Sequence, residues 1–258
     1  MFPQNRVLLQ VPFYYLAMTR MNSLKGLVSN ASSAWLPGVL VVTFLSDYSF
    51  LEAALHYVFT YLAFVSIYEV GYLVNDTLGT KHDETPRHRL KLKLASFEIL
   101  IFVLIRVAAL VVIAHLYGLF SNPAWSVSAL ALVVVIVMHN TIASSALKAA
   151  SFFQMSMLRF SLPIIPHVGN DAVPAVLLLA IFHFVYPRFI TYLDSKERLK
   201  IPERKTSRYG AQVQLLLLPT FFLLSVLMNH ALPLVIWLYY LLFQFLRFLI
   251  ERRRGLST

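Results

Sequence analysis

Tyr68-Glu69-Val70-Gly71-Tyr72-Leu73-Val74-Asn75-Asp76-Thr77-Leu78-Gly79-Thr80-Lys81-His82-Asp83-Glu84 closes a long apolar run and opens a basic loop. About 20 predominantly apolar residues are what a helix needs to cross the hydrocarbon core of a bilayer, so the stretch reads as the end of a membrane span. Carboxylates and an amide at that depth are unfavourable unless something binds there. A divalent metal carrying a polyphosphate is the guest that suits them, because magnesium takes one or two carboxylates and completes its shell with phosphate oxygens and water.

Composition agrees with a membrane reading. The chain is 59% hydrophobic and 13% charged, with a mean hydropathy of +0.70, more apolar surface than a soluble domain can hide. Apolar segments at roughly 33–46, 51–74, 94–118, 125–147, 150–168, 172–193, 211–229 and 231–250 predict eight spans in one all-α polytopic bundle covering residues 1–258. Pro123, Pro174 and Pro233 open spans, and Gly118 and Gly169 close them. Residues 1–28, with an apolar run at Val7–Met18, are expected as an interfacial helix lying on the membrane.

The net charge of +10 follows from loop residues and does not point to nucleic acid. Lys81, Arg87, Arg89, Lys91 and Lys93 follow span two, and Lys196, Arg198, Lys200, Arg204, Lys205 and Arg208 follow span six. Arg6, Arg20 and Lys25 precede span one, Lys148 lies between spans four and five, and Arg252–Arg254 follow span eight. The loops near Asp47, Asn122, Asp171 and Asn229 have no Lys or Arg. The positive-inside rule then puts both termini and both acidic loops, about 75–93 and 194–210, in the cytoplasm of a cell whose inner or plasma membrane holds the chain. The absence of cysteine excludes disulfides and thiol catalysis.

Positions seven apart lie on nearly one helix face, so Glu69, Asp76 and Asp83 line up if the helix continues past the membrane. Asn75 adds a neutral oxygen, Tyr72 sits between the first two carboxylates, and Lys81, Arg87 and Arg89 are placed to meet phosphate. Downstream, Arg188, Asp194, Glu197, Arg198, Lys205 and Thr206 have the same makeup, with Asp194 and Glu197 three apart on one face. Asn75, Asp76, Asp83, Asp194 and Glu197 are the candidate metal ligands, and ordinary solvated loop charges that pair with their neighbours are the alternative.

These residues resemble the UbiA-type intramembrane prenyltransferases. The family's first signature reads Asn-Asp-x-x-Asp-x-x-x-Asp; Asn75, Asp76 and Asp83 match it and Gly79 stands where an Asp belongs. Arg87, Arg89 and Leu90 look like its Arg-rich tail. The second motif is similar to Arg188, Asp194, Glu197, Lys205, Thr206 and Gly210, with the second carboxylate as Glu and shifted by one. Lys148 takes the Lys of a Tyr-x-x-x-x-Lys pattern whose Tyr is Ala143 here. Members usually have nine spans. The resemblance implies a bundle with a cavity open to lipid, where magnesium holds an isoprenoid diphosphate and aromatic rings (candidates Tyr68, Tyr72, Phe152, Phe153 and Tyr192) flank a carbocation. The implied catalytic set is Asp76, Asp83, Asp194 and Lys148, with Arg87, Arg89, Arg188, Arg198, Lys205 and Tyr72 holding the donor. Its default reaction is prenyl transfer to a lipophilic or aromatic acceptor. A phosphoribosyl-diphosphate donor with a polyprenyl-phosphate acceptor, cyclisation of the prenyl diphosphate, and a non-catalytic lipid scaffold or transporter are the alternatives.

Charged and polar residues inside the spans call for partners. Arg106 and Glu98 share a helix face eight residues apart, and Arg159 reaches either a polar cavity or Glu98. His56, His115, His139 and His183 lack zinc spacing and read as hydrogen-bonded bundle residues.

Overall fold

The computed structural model describes residues 5–77, 89–90, 92–196 and 198–253, apart from the side chains of Ser145, Arg204 and Lys205. It is all-α and multi-pass, and the chain divides into two compact units, Met1–Val173 and Pro174–Thr258. Among the described residues seven helices are long and apolar enough to cross a bilayer: Leu24–Leu45, Phe50–Thr77, Ser96–Leu116, Pro123–Thr141, Asn170–Ser195, Ser207–Met228 and Leu232–Arg253.

In the first unit, α1 (Tyr14–Arg20) and α2 (Leu24–Asn30) lead through a π-turn at Ala31–Trp35 into α3 (Leu36–Leu45). Pro37 explains that turn: it has no N–H to give the carbonyl four residues back, and the widened turn absorbs the mismatch. Then come α4 (Phe50–Thr77), α5 (Ser96–Leu116), α6 (Pro123–Thr141) and α7 (Ser145–Ser161). Helix α4 is central and packs on α3, α5 and α6, while α6 packs on α7. Gly71 permits the closest approach of α4 to α6, since a Cβ there would lie 2.7 Å from Ile136.

The fifth expected span, 150–168, corresponds to α7, a 17-residue helix that is not among the seven. It is shorter and more polar than the seven spans, and polar contacts flank it. Near its start Ser151 Oγ meets His139 Nδ1 at 2.8 Å, and beyond its end Thr60 Oγ1 donates to the Pro163 carbonyl at 2.7 Å and lies 3.1 Å from His167 Nε2. Its polarity has a physical reason. Lys148, Ser151, Met155, Ser156, Leu158 and Ser161 are buried in protein, so α7 is spared contact with hydrocarbon. Helix α5 is the converse: Leu100, Leu104, Val107, Val111 and Val112 are exposed as a lipid-facing stripe, while Phe102 and Arg106 turn inward.

Part of the segment expected at the membrane interface turns inward, while Val7, Val11, Leu24 and Val28 stay exposed. Leu9 and Tyr15–Met18 are buried, with the first turn (Leu8–Gln10) against α5 and α1 against α4. A buried ion pair holds them. The Arg106 guanidinium lies 2.8 Å from Glu69, with both side chains fully enclosed. Arg106 Nη2 also donates to the Leu9 and Val11 carbonyls at 2.8 Å each, and Nη1 donates to the Gln10 carbonyl. Glu69 accepts from Leu16 N at 2.8 Å and Phe13 N at 3.1 Å. Phe13 has φ 75°, a left-handed conformation that costs a non-glycine residue about 1–2 kcal/mol. The carboxylate behind it holds that turn in place.

The second unit holds α8 (Val173–Leu179, beginning at the boundary), a π-turn at Ala180–Val185, α9 (Tyr186–Ser195), α10 (Ser207–Met228) and α11 (Leu232–Arg253). As in the first unit, a proline follows the π-turn, here Pro187. Helices α10 and α11 form an antiparallel hairpin.

Candidate functional site

The polar end of the first unit is built around Asp76, on the last turn of α4. Its carboxylate is fully enclosed. Tyr15 Oη donates to Oδ2 at 2.8 Å, Arg20 Nη2 donates to Oδ1 at 3.2 Å, and the Asn75 amide reaches Oδ1 at 3.4 Å. Burial, and then the charge of Asp76, push the Tyr15 phenol well above the usual tyrosine range, so it stays a donor. Glu69, one heptad earlier, is occupied by Arg106. The expected line of carboxylates thus resolves into two ion pairs that anchor α1. Asp83, Arg87, Glu197 and the doubt at Gly79 lie outside the described residues.

Arg20 joins this end to a track of rings on α4. Its guanidinium lies 4.2 Å from the centroid of Tyr72. From there Tyr72–Tyr68, Tyr68–Phe64, Phe64–Tyr61 and Tyr61–Tyr57 follow at centroid distances of 4.6, 4.9, 5.5 and 5.8 Å. Helical spacings of three and four produce this directly, since residues 57, 61, 64, 68 and 72 fall on one face. Arg159 of α7 lies 5.8 Å from the Tyr68 ring and donates to Asn30 Oδ1 at 2.6 Å. It does not pair with Glu98, which instead caps α5 through Ala95 N and binds Arg6 at 3.2 Å. The track ends at an apolar cavity of about 310 Å³ walled by Phe13, Trp35, Val39, Tyr57, Tyr61 and Leu62.

Along this track, Arg20 Nη1, Asn30 Nδ2, Trp35 Nε1 and the Tyr61 hydroxyl are buried without a hydrogen-bond partner among the described residues. The first three only donate, so the set lacks acceptors. Among the expected residues, the structure brings Asn75, Asp76 and Tyr72 to this end. Lys148 is buried on α7, three turns before Arg159 and on the same face. Arg89 is exposed. The residues that the motif search passed over are Tyr15, Asn30, Trp35 and Tyr61.

In the second unit, Asp194 Oδ1 accepts from Ile201 N at 2.9 Å, tying the loop back onto α9. Arg188 lies 4.1 Å from the Phe184 ring, and Arg198 is exposed. Tyr192, Phe152 and Phe153 are half-buried. Among the described residues no group of three or more His, Asp or Glu side chains is placed to hold a metal ion. Asp76 and Asn75 do not by themselves fit magnesium, because the carboxylate oxygens already serve Tyr15 and Arg20.

Comparison of the chain with known protein families, with curated proteins and with solved structures finds no match.

Proposed function

We propose that the protein is a membrane transferase that takes a prenyl diphosphate and moves the prenyl group to a lipophilic or aromatic acceptor, in the manner of the UbiA-type enzymes its motifs resemble. What carries the reading is the pairing of buried, acceptor-seeking donors with a continuous aromatic track that leads to an apolar cavity. An amphiphile with an anionic head and a long apolar tail satisfies both. The head takes hydrogen bonds from Arg20 and Asn30, with Arg159 orienting Asn30, and the tail lies along the rings toward Trp35 and Val39.

In the reaction the allylic carbon–oxygen bond breaks and the diphosphate leaves with the bonding electrons. Guanidinium donors offset the charge that develops on it. The π faces of Tyr68 and Tyr72 stabilise the cation left behind. The acceptor then bonds to that carbon and gives up a proton. Magnesium dependence belongs to the proposal, and so does a cytoplasmic Asp76 end in an inner or plasma membrane.

A second reading, a lipid-diphosphate binder without turnover, is favoured by the full engagement of Asp76. Purified protein in lipid nanodiscs, given a prenyl diphosphate, magnesium and an aromatic acceptor, decides between them. Release of diphosphate that chelation abolishes supports the transferase. Saturable binding without release supports the binder, and neither binding nor release sinks both.

A further inference from the structure

A second pocket, wholly within the second unit, lies between α9, α10 and α11 and encloses about 160 Å³. For scale, an apolar cavity of about 150 Å³ binds benzene. Two glutamine amides border it, Gln214 of α10 and Gln244 of α11, at 1% and 5% exposure. Neither side-chain oxygen has a hydrogen-bond partner. Two buried amides at the border of one cavity, both short of a donor among the described residues, are unusual in a protein interior and more so within membrane-crossing helices.

The walls narrow the chemistry of the guest. Arg247 borders the pocket and pairs with Glu251 at 3.3 Å, so the charges there balance and a bare cation meets a guanidinium. Tyr240, held edge-on to His183 at 5.1 Å, supplies an aromatic wall. Gly210 lets the Gln244 amide pack close to α10, because a Cβ there would lie 2.7 Å from the Gln244 amide oxygen. Trp237 Nε1 donates to the Gln214 carbonyl at 2.7 Å and fixes the α10–α11 register that places the amides.

We infer that this pocket is a binding site for a small neutral molecule of one-ring size that presents a pair of hydroxyl groups, one to each glutamine oxygen. The site uses none of the donors and rings assigned to the prenyl diphosphate, although Gly210 also belongs to the second of the resembling motifs.

The test is calorimetric titration of the purified full chain in detergent with catechol and, separately, glycerol, with benzene as the apolar control. Catechol distinguishes a ring-borne hydroxyl pair from the flexible pair of glycerol. Saturable binding of either diol, without comparable binding of benzene, is the expected result. Gln244→Leu, which removes one hydrogen bond, and Gly210→Ala, whose Cβ displaces the Gln244 oxygen, are each expected to weaken it about tenfold once shown folded by circular dichroism. Should Gly210→Ala fail to fold, Gln214→Leu serves in its place. Failure of both diols to bind, or binding unchanged in the folded variants, overturns the inference; the amides then hold water alone.

Discussion

Arg20 and Asp76, 56 residues apart, meet in a 3.2 Å ion pair whose carboxylate side is fully enclosed. That contact joins α1 to the end of α4 and leaves the other guanidinium nitrogen of Arg20 without a partner beside the aromatic track. One residue thus serves both the fold and the proposed site. A double-mutant cycle separates the two roles. Arg20→Gln and Asp76→Asn are each expected to lower the unfolding midpoint. The double variant is expected to lose less than the sum, with a coupling of about 1–3 kcal/mol. Additive losses would mean that the pair contributes nothing beyond its separate members.

The Glu69–Arg106 pair is the stronger structural constraint, because both side chains are enclosed and every contact reaches residues 9–16. Glu69→Leu strands a buried guanidinium and is expected to cost about 3–5 kcal/mol. Limited proteolysis should then cut within residues 9–16 while α4 and α5 stay protected. An unchanged cleavage pattern would contradict the assigned role.

Close approach of α4 to its neighbours rests on two glycines. A Cβ on Gly71 would meet Ile136 at 2.7 Å, and one on Gly38 would meet the Tyr57 ring at 2.4 Å. Gly71→Ala should destabilise by about 1–3 kcal/mol, read by thermal melting. Gly38→Ala should in addition disturb the Tyr57–Tyr61 stack and weaken binding of any lipid that uses the cavity beside it. Wild-type affinity in Gly38→Ala would remove that cavity from the site.

Alkaline pH offers a test of Tyr15. Its phenol is raised by burial and by Asp76, so the protonated form is favoured in the folded state. The stability it contributes is complete below the ordinary tyrosine value of about 10 and is lost as pH rises through the higher folded value. Ultraviolet titration of the native protein should therefore show one fewer early-ionising tyrosine in wild type than would be counted if Tyr15 behaved ordinarily. Tyr15→Phe should leave that early count unchanged, and a reduced count would contradict the burial and the contact with Asp76.

Hydropathy and charge made most of the fold legible. All eight apolar segments correspond to helices, and the basic loops fall at the ends of α4 and α9. The N-terminal segment was harder to place: Val7–Met18 is an apolar run that hydropathy alone assigns to the membrane surface, and the partners of Glu69 and Arg106, distant in sequence, draw Leu9 and Tyr15–Met18 inward. On its own helix Arg106 shares a face with Glu98, eight residues away, whereas its partner Glu69 lies on α4. Among the candidate site residues, Asp76, Asn75 and Tyr72 were readable from spacing. Asn30 and Trp35 were not, because a single amide and a single indole in an apolar run carry no pattern until packing shows that their donors are unmet.

Equilibrium binding of a labelled prenyl diphosphate to the protein in nanodiscs, compared with the matching prenyl alcohol, tests the central claim most directly. The diphosphate is predicted to bind at least about tenfold more tightly than the alcohol, with the difference largely lost in Asn30→Leu and Arg159→Gln. Equal affinity for diphosphate and alcohol, or a diphosphate preference untouched in both variants, would contradict it.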